Sequence, residues 1–140
     1  MCNLVVEYVG MRCIVRYCER PSSGADPATW QPPSWCGALS HLQQKKHDSI
    51  WARMLARREL LADHGQLRSP DHWNTEGELP DQKHFYAIKV DKIRAYGWFS
   101  TCHRGVFYIS HFSFKSGQKL ALEDIRRVHT NWREIERQPE

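Results

Sequence analysis

The chain has 140 residues and a mass of 16.5 kDa, with 41% hydrophobic and 26% charged residues, as expected for one ordinary globular domain. This composition excludes a disordered tail protein and a collagen-like repeat, and no run approaches the roughly 18 apolar residues of a membrane helix. The first seven residues contain Glu7 and no basic residue, so we expect no secretory signal, a cytoplasmic location and no membrane partner.

The positive charge is concentrated in one segment of the chain. The net charge is +4, but residues 1–81 carry 9 basic and 10 acidic side chains, and residues 120–140 carry 4 and 5. Residues 82–119 carry 7 basic side chains and a single acid, Asp91, for a net charge of +6. Such a segment indicates either a polyanionic partner or a solvated basic face.

The cysteines and histidines do not form a recognisable metal site. The five cysteines are an odd number without regular spacing, which favours reduced thiols. Cys13 and Cys18 lack a second pair, and the eight histidines are scattered along the chain. We therefore expect no metal and no cofactor.

The first half of the chain predicts strands followed by helices. The segments Leu4–Val9 and Arg12–Cys18 are rich in Val, Ile and Tyr and predict one or two strands. Pro32-Pro33, followed by apolar residues at helical spacing, predicts a short helix. The second predicted helix is capped by Asp48 or Ser49 and ends at Gly65, and we expect the two helices to form an antiparallel hairpin.

The second half predicts a sheet and a final helix. Residues 66–82 contain glycine, prolines and acids and predict an exposed loop. Three strands follow at His84–Val90, Lys92–Phe99 and Gly105–Phe112, with short connections that require antiparallel pairing. Ile125, Val128, Trp132 and Ile135 form an apolar stripe on the last helix. We therefore predict an α+β domain whose helical hairpin and C-terminal helix pack on a twisted antiparallel sheet.

Five short motifs, in order and with consistent spacing, carry a family resemblance. They are Glu59–Gly65, His84–Val90, Ile93–Tyr96, Ile109–Lys119 and Glu123–Ile125. Together they resemble the RelE/HigB superfamily of toxins from bacterial toxin–antitoxin pairs, close to a phage-derived branch. The resemblance is strongest over residues 50–136, and it implies that residues 1–140 form a single domain with the RelE-like fold. Lys89 stands where arginine is usual, and Lys115-Ser116 stands where the family has two lysines.

The resemblance implies the toxin component of a toxin–antitoxin pair. Its partners would be a cognate antitoxin protein and messenger RNA, which toxins of this family cleave, often while the message is on the ribosome. The family works without a metal ion: the 2′-hydroxyl attacks its adjacent phosphate and leaves a 2′,3′-cyclic phosphate and a 5′-hydroxyl. This reaction needs a proton acceptor, a proton donor and cations near the phosphorane.

We predict Arg94, His111 and Lys115 as the catalytic residues. Arg94 offers a planar, permanently charged fork to a phosphate, and a histidine such as His111 exchanges protons near neutral pH. Lys115 follows a strand end, from which its ammonium group can reach the scissile phosphate. The residues predicted to bind RNA are Lys89, Tyr96, Gln118 and Lys119, with Tyr96 stacking on a base or donating its phenol.

Each assignment has a structural alternative. Arg94 could pair with a carboxylate, Lys115 could be a solvated loop residue, and His111 and Tyr96 could belong to the core. Two other functions also fit the same fold. One is a ParE-type toxin that inhibits DNA gyrase, and the other is a non-catalytic module that binds nucleic acid or protein.

Overall fold

The computed structural model describes residues 5–22, 24–26, 29–115, 117 and 120–137. Within these residues the elements are β1 (Glu7–Val9), β2 (Ile14–Tyr17), α1 (Pro33–Leu39), α2 (His47–His64), β3 (Trp73–Glu78), β4 (His84–Val90), β5 (Ile93–Phe99), β6 (Val106–Phe114) and α3 (Leu122–Glu136). The fold is α+β, as the sequence predicts. None of the helices in these ranges has the length and apolar composition needed to cross a membrane.

The six strands form one mixed sheet in the order β1-β2-β6-β5-β4-β3. Neighbouring strands are antiparallel except β2 and β6, which run parallel. The prediction of a wholly antiparallel sheet is therefore wrong at this pair. The chain between β2 and β6 contains two helices and three strands, so it is long enough for a parallel return, whereas the short links considered in the prediction are not.

The sheet has a separate core on each face because successive side chains of a strand point to opposite faces. On one face, α1 and α2 cover strand residues such as Ile88, Ile93 and Phe112. On the other face, Val128 and Trp132 of α3 are buried in a second core, which confirms the predicted apolar stripe. The N-terminal helices and the C-terminal helix therefore lie on opposite faces of the sheet.

The end of α2 agrees with the sequence prediction and its start does not. Gly65 follows the helix in the left-handed conformation with a φ of 78°, as the predicted C-terminal glycine requires. The helix begins at His47, where a short 3-10 turn over Gln44–Lys46 leads directly into it. Asp48 consequently lies in the first helical turn, where its charge interacts favourably with the helix dipole, and the helix has no side-chain cap.

The segment predicted as an exposed loop, residues 66–82, contains strand β3. This strand lies at the edge of the sheet and pairs antiparallel with β4, with Trp73 opposite Ile88. Apart from Trp73 and Thr75, its residues are Asn, Glu and Gly, which have low strand propensity, so the local sequence does not indicate a strand. Pairing with β4 and the burial of Trp73, which is 8% exposed, stabilise it instead.

Candidate active site

Lys89, Arg94 and Lys115 lie on one face of three neighbouring strands. Lys89 in β4 is directly opposite Arg94 in β5, and Arg94 is directly opposite Ser113 in β6. Paired residues of antiparallel strands share a face, and Lys115 follows Ser113 by two positions. The Lys115 N–H donates to the Lys92 carbonyl at 2.7 Å, so the strand pairing continues to this residue. We call Lys89, Arg94 and Lys115 the cation cluster.

The cation cluster contains three of the seven basic residues of the positive segment. Lys83, Lys92 and Arg104 lie exposed in the turns and loops between strands. Lys119 and Gln118, both predicted to bind RNA, lie outside the described residues. The basic residues of this one sequence segment therefore lie on different parts of the folded protein, and three of them share one face of the sheet.

Arg94 is anchored by one side of its guanidinium group. Its Nη1 donates to the Asp91 carbonyl at 2.7 Å and to the Ile93 carbonyl at 3.1 Å. Its Nε is buried and has no hydrogen-bond partner, and Arg94 forms no ion pair within the described parts of the chain. The alternative in which Arg94 pairs with a carboxylate thus finds no support in this structure.

The positive charges of Arg94 and Lys115 affect the pKa of Lys89. Its Nζ donates to the Pro70 carbonyl at 2.8 Å. Partial burial lowers the pKa of Lys89, and the positive charges of Arg94 and Lys115 lower it further, against the opposing effect of Glu76. A larger fraction of Lys89 is consequently in the neutral amine form near neutral pH than is the case for an isolated lysine.

The turn between β4 and β5 is held from the opposite face by α2. Arg53 forms two hydrogen bonds with the Asp91 carboxylate, at 3.1 and 3.2 Å, and Arg57 donates to the Lys89 carbonyl. Asp91 itself has a positive φ of 51° in this turn. With Arg94 bound to the other side of the same turn, the backbone that carries Lys89 and Arg94 is restrained from both faces.

His111 is enclosed in a hydrogen-bond network and is 1% exposed. Its Nδ1 lies 2.8 Å from the Ser110 hydroxyl, and its Nε2 lies 2.8 Å from Oδ1 of Asp124 in α3. Asn131 donates to the same Ser110 hydroxyl at 2.8 Å, and Ser113 donates to Oδ2 of Asp124 at 3.2 Å. One set of hydrogen positions satisfies these groups: Ser110 donates to Nδ1, and Nε2 donates to Asp124.

This network joins α3 to β6 and borders the cation cluster through Ser113, which is opposite Arg94. It contains the residue types of a hydrolytic triad, but Ser110 and His111 are both fully buried, so a substrate does not reach them. Proton transfer by His111 stays a prediction from the sequence, and the enclosed position of the ring gives it no support.

Tyr96 is also enclosed, with 1% of its surface exposed. Its ring centroid lies 5.5 Å from that of His111 and 6.0 Å from that of Phe85. Burial raises the pKa of Tyr96, as do the nearby charges of Asp124 and Glu76. Tyr96 lies two residues after Arg94 on the same face of β5, in the core that α3 covers, and stacking on a base would require it to move.

Two acidic residues near the cation cluster were not predicted. Glu76 lies in β3, which the sequence did not reveal as a strand. Asp124 belongs to one of the five motifs, but its contact with His111 depends on how α3 packs against β6. Within the described residues, no group of three or more His, Cys, Asp or Glu side chains could hold a metal ion.

Comparison of the chain with protein-family models, curated proteins and solved structures gives no significant match to any of them. The fold and the geometry of the cation cluster are therefore the basis for a functional proposal.

Proposed function

We propose that this protein is a toxin of a toxin–antitoxin pair that cleaves messenger RNA without a metal ion, with the cation cluster as its active site and a RelE-like fold as its scaffold. The observation that carries the proposal is the alignment of Lys89, Arg94 and Lys115 on one face of three neighbouring strands. RNA binding needs several phosphate contacts, and three basic residues on one face of the sheet are suited to supply them.

Arg94 is the residue that contacts the scissile phosphate. Its Nη1 is held by the backbone of the β4–β5 turn, and a planar, permanently charged guanidinium group suits phosphate oxygens. Lys115 contributes a second charge to the developing phosphorane. Cations that are already oriented before the reaction stabilise such a transition state without reorganising.

Lys89 accepts the proton of the 2′-hydroxyl in this proposal, and the leaving 5′-oxygen takes a proton from solvent water to give the 5′-hydroxyl. A general base works best when its pKa is close to the operating pH, and burial together with two neighbouring cations lowers the pKa of Lys89 in that direction. His111 acts as a positioning residue, because it holds Asp124 and, through Ser113, the part of β6 that faces Arg94.

The antitoxin and the ribosome enter the proposal only through the family resemblance. The antitoxin would be a protein that binds this chain and stops RNA cleavage, and ribosomes would present the message. RNA cleavage by the purified protein, measured with and without ribosomes, shows whether cleavage requires the ribosome. Addition of a candidate antitoxin shows whether a protein partner stops it.

Expression in a bacterial host tests the proposal. We expect the unmodified chain to arrest growth and Arg94→Ala to relieve the arrest at an equal protein level. Arg104→Ala is the matched control, since Arg104 belongs to the same positive segment but lies exposed in the β5–β6 loop. Growth arrest that persists in Arg94→Ala would contradict the site assignment.

The cleavage products test the chemistry. We expect a 2′,3′-cyclic phosphate and a 5′-hydroxyl, with rates unchanged by EDTA, because the nucleophile is the 2′-hydroxyl. Products that carry a 5′-phosphate would indicate attack by water or hydroxide and would contradict the proposal.

A non-catalytic binding module is the second candidate, and the enclosure of His111 and Tyr96 favours it. These two predicted chemical groups do not reach the surface, whereas the three cations do not need acid–base partners to bind a polyanion. Binding of RNA by the purified protein without cleavage, with and without ribosomes, would select this second function.

A further inference from the structure

A cavity of about 320 Å³ opens beside α2, on the face of the sheet opposite the cation cluster. The cavity is lined by the aliphatic residues Val5, Val6 and Leu55 and by the aromatic residues Tyr17, Trp30 and Trp51. The rings of Tyr17 and Trp30 are tilted by 60° with centroids 6.2 Å apart. This volume is at the lower end of the roughly 300–1,000 Å³ of cavities that bind small molecules.

Two charged residues, Glu7 and Arg58, also line the cavity. Among the described residues, an ion pair compensates the charge of Glu7 but not that of Arg58. The Glu7 carboxylate accepts a hydrogen bond from Arg16 Nε at 2.7 Å and forms an ion pair with it. Arg58 has no carboxylate partner among the residues that the structure describes. Within the described part of the chain, the cavity wall therefore carries a positive charge that no carboxylate balances.

The surroundings of Arg58 hold the guanidinium group in place but leave part of it unsatisfied. Nη1 donates to the Tyr17 hydroxyl at 3.2 Å, and the guanidinium carbon lies 4.9 Å from the centroid of the Tyr8 ring. Nε is buried and has no hydrogen-bond partner. Burial raises the pKa of Tyr17 despite the opposing charge of Arg58, so the phenol is neutral at pH 7 and does not act as the counter-ion.

We propose that this cavity binds a small carboxylate with a planar apolar body, with Arg58 as the contact of the carboxylate and the aromatic residues as the contacts of the apolar body. The planar guanidinium group matches a carboxylate in geometry and charge, and a single cation suits a single negative charge. Aromatic and aliphatic walls provide the burial that a small ring system needs.

This site is separate from the proposed RNA site. It lies on the other face of the sheet and shares no residue with the cation cluster. Its ligand binding is consequently expected to persist in Arg94→Ala, so failure of the RNA-cleavage proposal would not affect it.

A pair of matched probes tests the proposal on the unmodified protein. We expect 3-phenylpropanoate to bind at least about 10-fold more tightly than its neutral amide, 3-phenylpropanamide, because only the acid forms a charge-assisted hydrogen bond with Arg58. Isothermal titration calorimetry measures both affinities, and the fluorescence of the tryptophans reports binding independently. Absence of binding at millimolar concentration, or equal affinity for the two probes, would overturn the proposal.

Three variants then locate the site. Arg58→Gln should remove the preference for the acid, and Arg58→Lys should retain part of it, because a point charge remains but the fork is lost. Arg126→Gln is the control for net charge, since Arg126 lies exposed on α3. Thermal unfolding verifies that each variant is folded. A preference for the acid that survives in folded Arg58→Gln would overturn the assignment of Arg58.

Discussion

Lys89 combines two influences that act in the same direction on its pKa, partial burial and neighbouring positive charge. Under the proposed function, the cleavage rate rises with pH until Lys89 is fully deprotonated. Its ordinary pKa is 10.5, and burial and the charges of Arg94 and Lys115 lower the value in the folded protein. The rise should therefore occur at lower pH than for an isolated lysine.

Lys115→Gln removes one of those charges, so the pKa of Lys89 should rise and the rising part of the rate profile should move to higher pH. Single-turnover cleavage measured as a function of pH detects this displacement, with Lys83→Gln as the control. A profile that does not move in Lys115→Gln would exclude Lys89 as the proton acceptor.

Glu136, at the end of α3, is 9% exposed, and several donors converge on its carboxylate. Trp98 Nε1 donates at 2.9 Å, and the backbone N–H groups of Thr101 and Cys102 donate at 2.9 Å. Burial alone would raise the pKa of Glu136, but hydrogen bonds from these residues and Ser100 together outweigh it and lower the value to about 2. The carboxylate thus connects the end of α3 to the β5–β6 loop through hydrogen bonds.

The lowered pKa makes part of the stability dependent on pH. Glu136 stabilises the folded state fully above its ordinary pKa of 4.5, and this contribution is lost as the pH falls towards 2. The contribution amounts to about 3 kcal/mol, from about 1.4 kcal/mol for each pH unit between the two values. Glu136→Gln should be destabilised at pH 6, and the difference from the unmodified protein should shrink towards pH 2. Urea unfolding across this range measures it, and a difference independent of pH would contradict the assignment.

At the scale of elements, glycine has opposite roles in β5 and α1. The register between β5 and β6 shifts at Tyr96 and Gly97. A Cβ at Gly97 would collide with the Tyr108 carbonyl oxygen and with the ring of Phe107. Gly37 lies exposed within α1, and a Cβ there would meet no atom within 4 Å.

The same substitution should therefore change stability in opposite directions at the two positions. Gly97→Ala should destabilise the protein by about 1–3 kcal/mol, because a backbone contact in the sheet has to give way. Gly37→Ala should stabilise it by up to about 1 kcal/mol, because alanine favours the helix. Urea unfolding of both variants is the measurement. Destabilisation of similar size at both sites would mean that both positions depend on the backbone freedom of glycine. The close approach of β6 to Gly97 would then not explain the loss of stability.

Among the elements, those with strong local patterns were predicted most accurately. The strand β4 has the predicted limits, and β5 and β6 differ from prediction only near their ends. The polar strand β3 was missed because its stability comes from pairing with β4 and from one buried tryptophan. The parallel contact of β2 and β6 was missed because it joins segments that are far apart in the chain.

For the whole molecule, the placement of charge should matter more for RNA binding than its amount. Neutralising Lys89, Arg94 and Lys115 to Gln changes the net charge by the same three units as neutralising Lys83, Lys92 and Arg104. Log affinity falls as log salt concentration rises, and the first triple variant should make this slope shallower by about 2. The figure follows from roughly 0.7 for each lost phosphate contact with single-stranded RNA. The second should change the slope less, because its residues lie in separate turns and loops.

Titration of a fluorescent RNA at several salt concentrations measures both slopes. Equal slopes in the two triple variants would show that RNA affinity depends on the net charge of the protein and not on where the charge lies. The cation cluster would then not be the RNA-binding site.

Local sequence information was sufficient for the α+β class, for most strands, for the glycine at the end of α2 and for the apolar stripe of α3. Each of these depends on side-chain periodicity or on the conformational preference of one residue, and both act over a few neighbouring positions. The positive segment could also be read directly from the chain.

The assembly of the site depended on contacts between distant segments. Register between β4, β5 and β6 brings Lys89, Arg94 and Lys115 to one face, and the packing of α3 encloses His111 and Tyr96. The position of Arg58, which has no carboxylate partner among the residues that the structure describes, likewise results from how α2 packs against the first strands. Burial and charge pairing depend on neighbours in space, so residue type and spacing along the chain could identify the candidates but not which of them reach the surface.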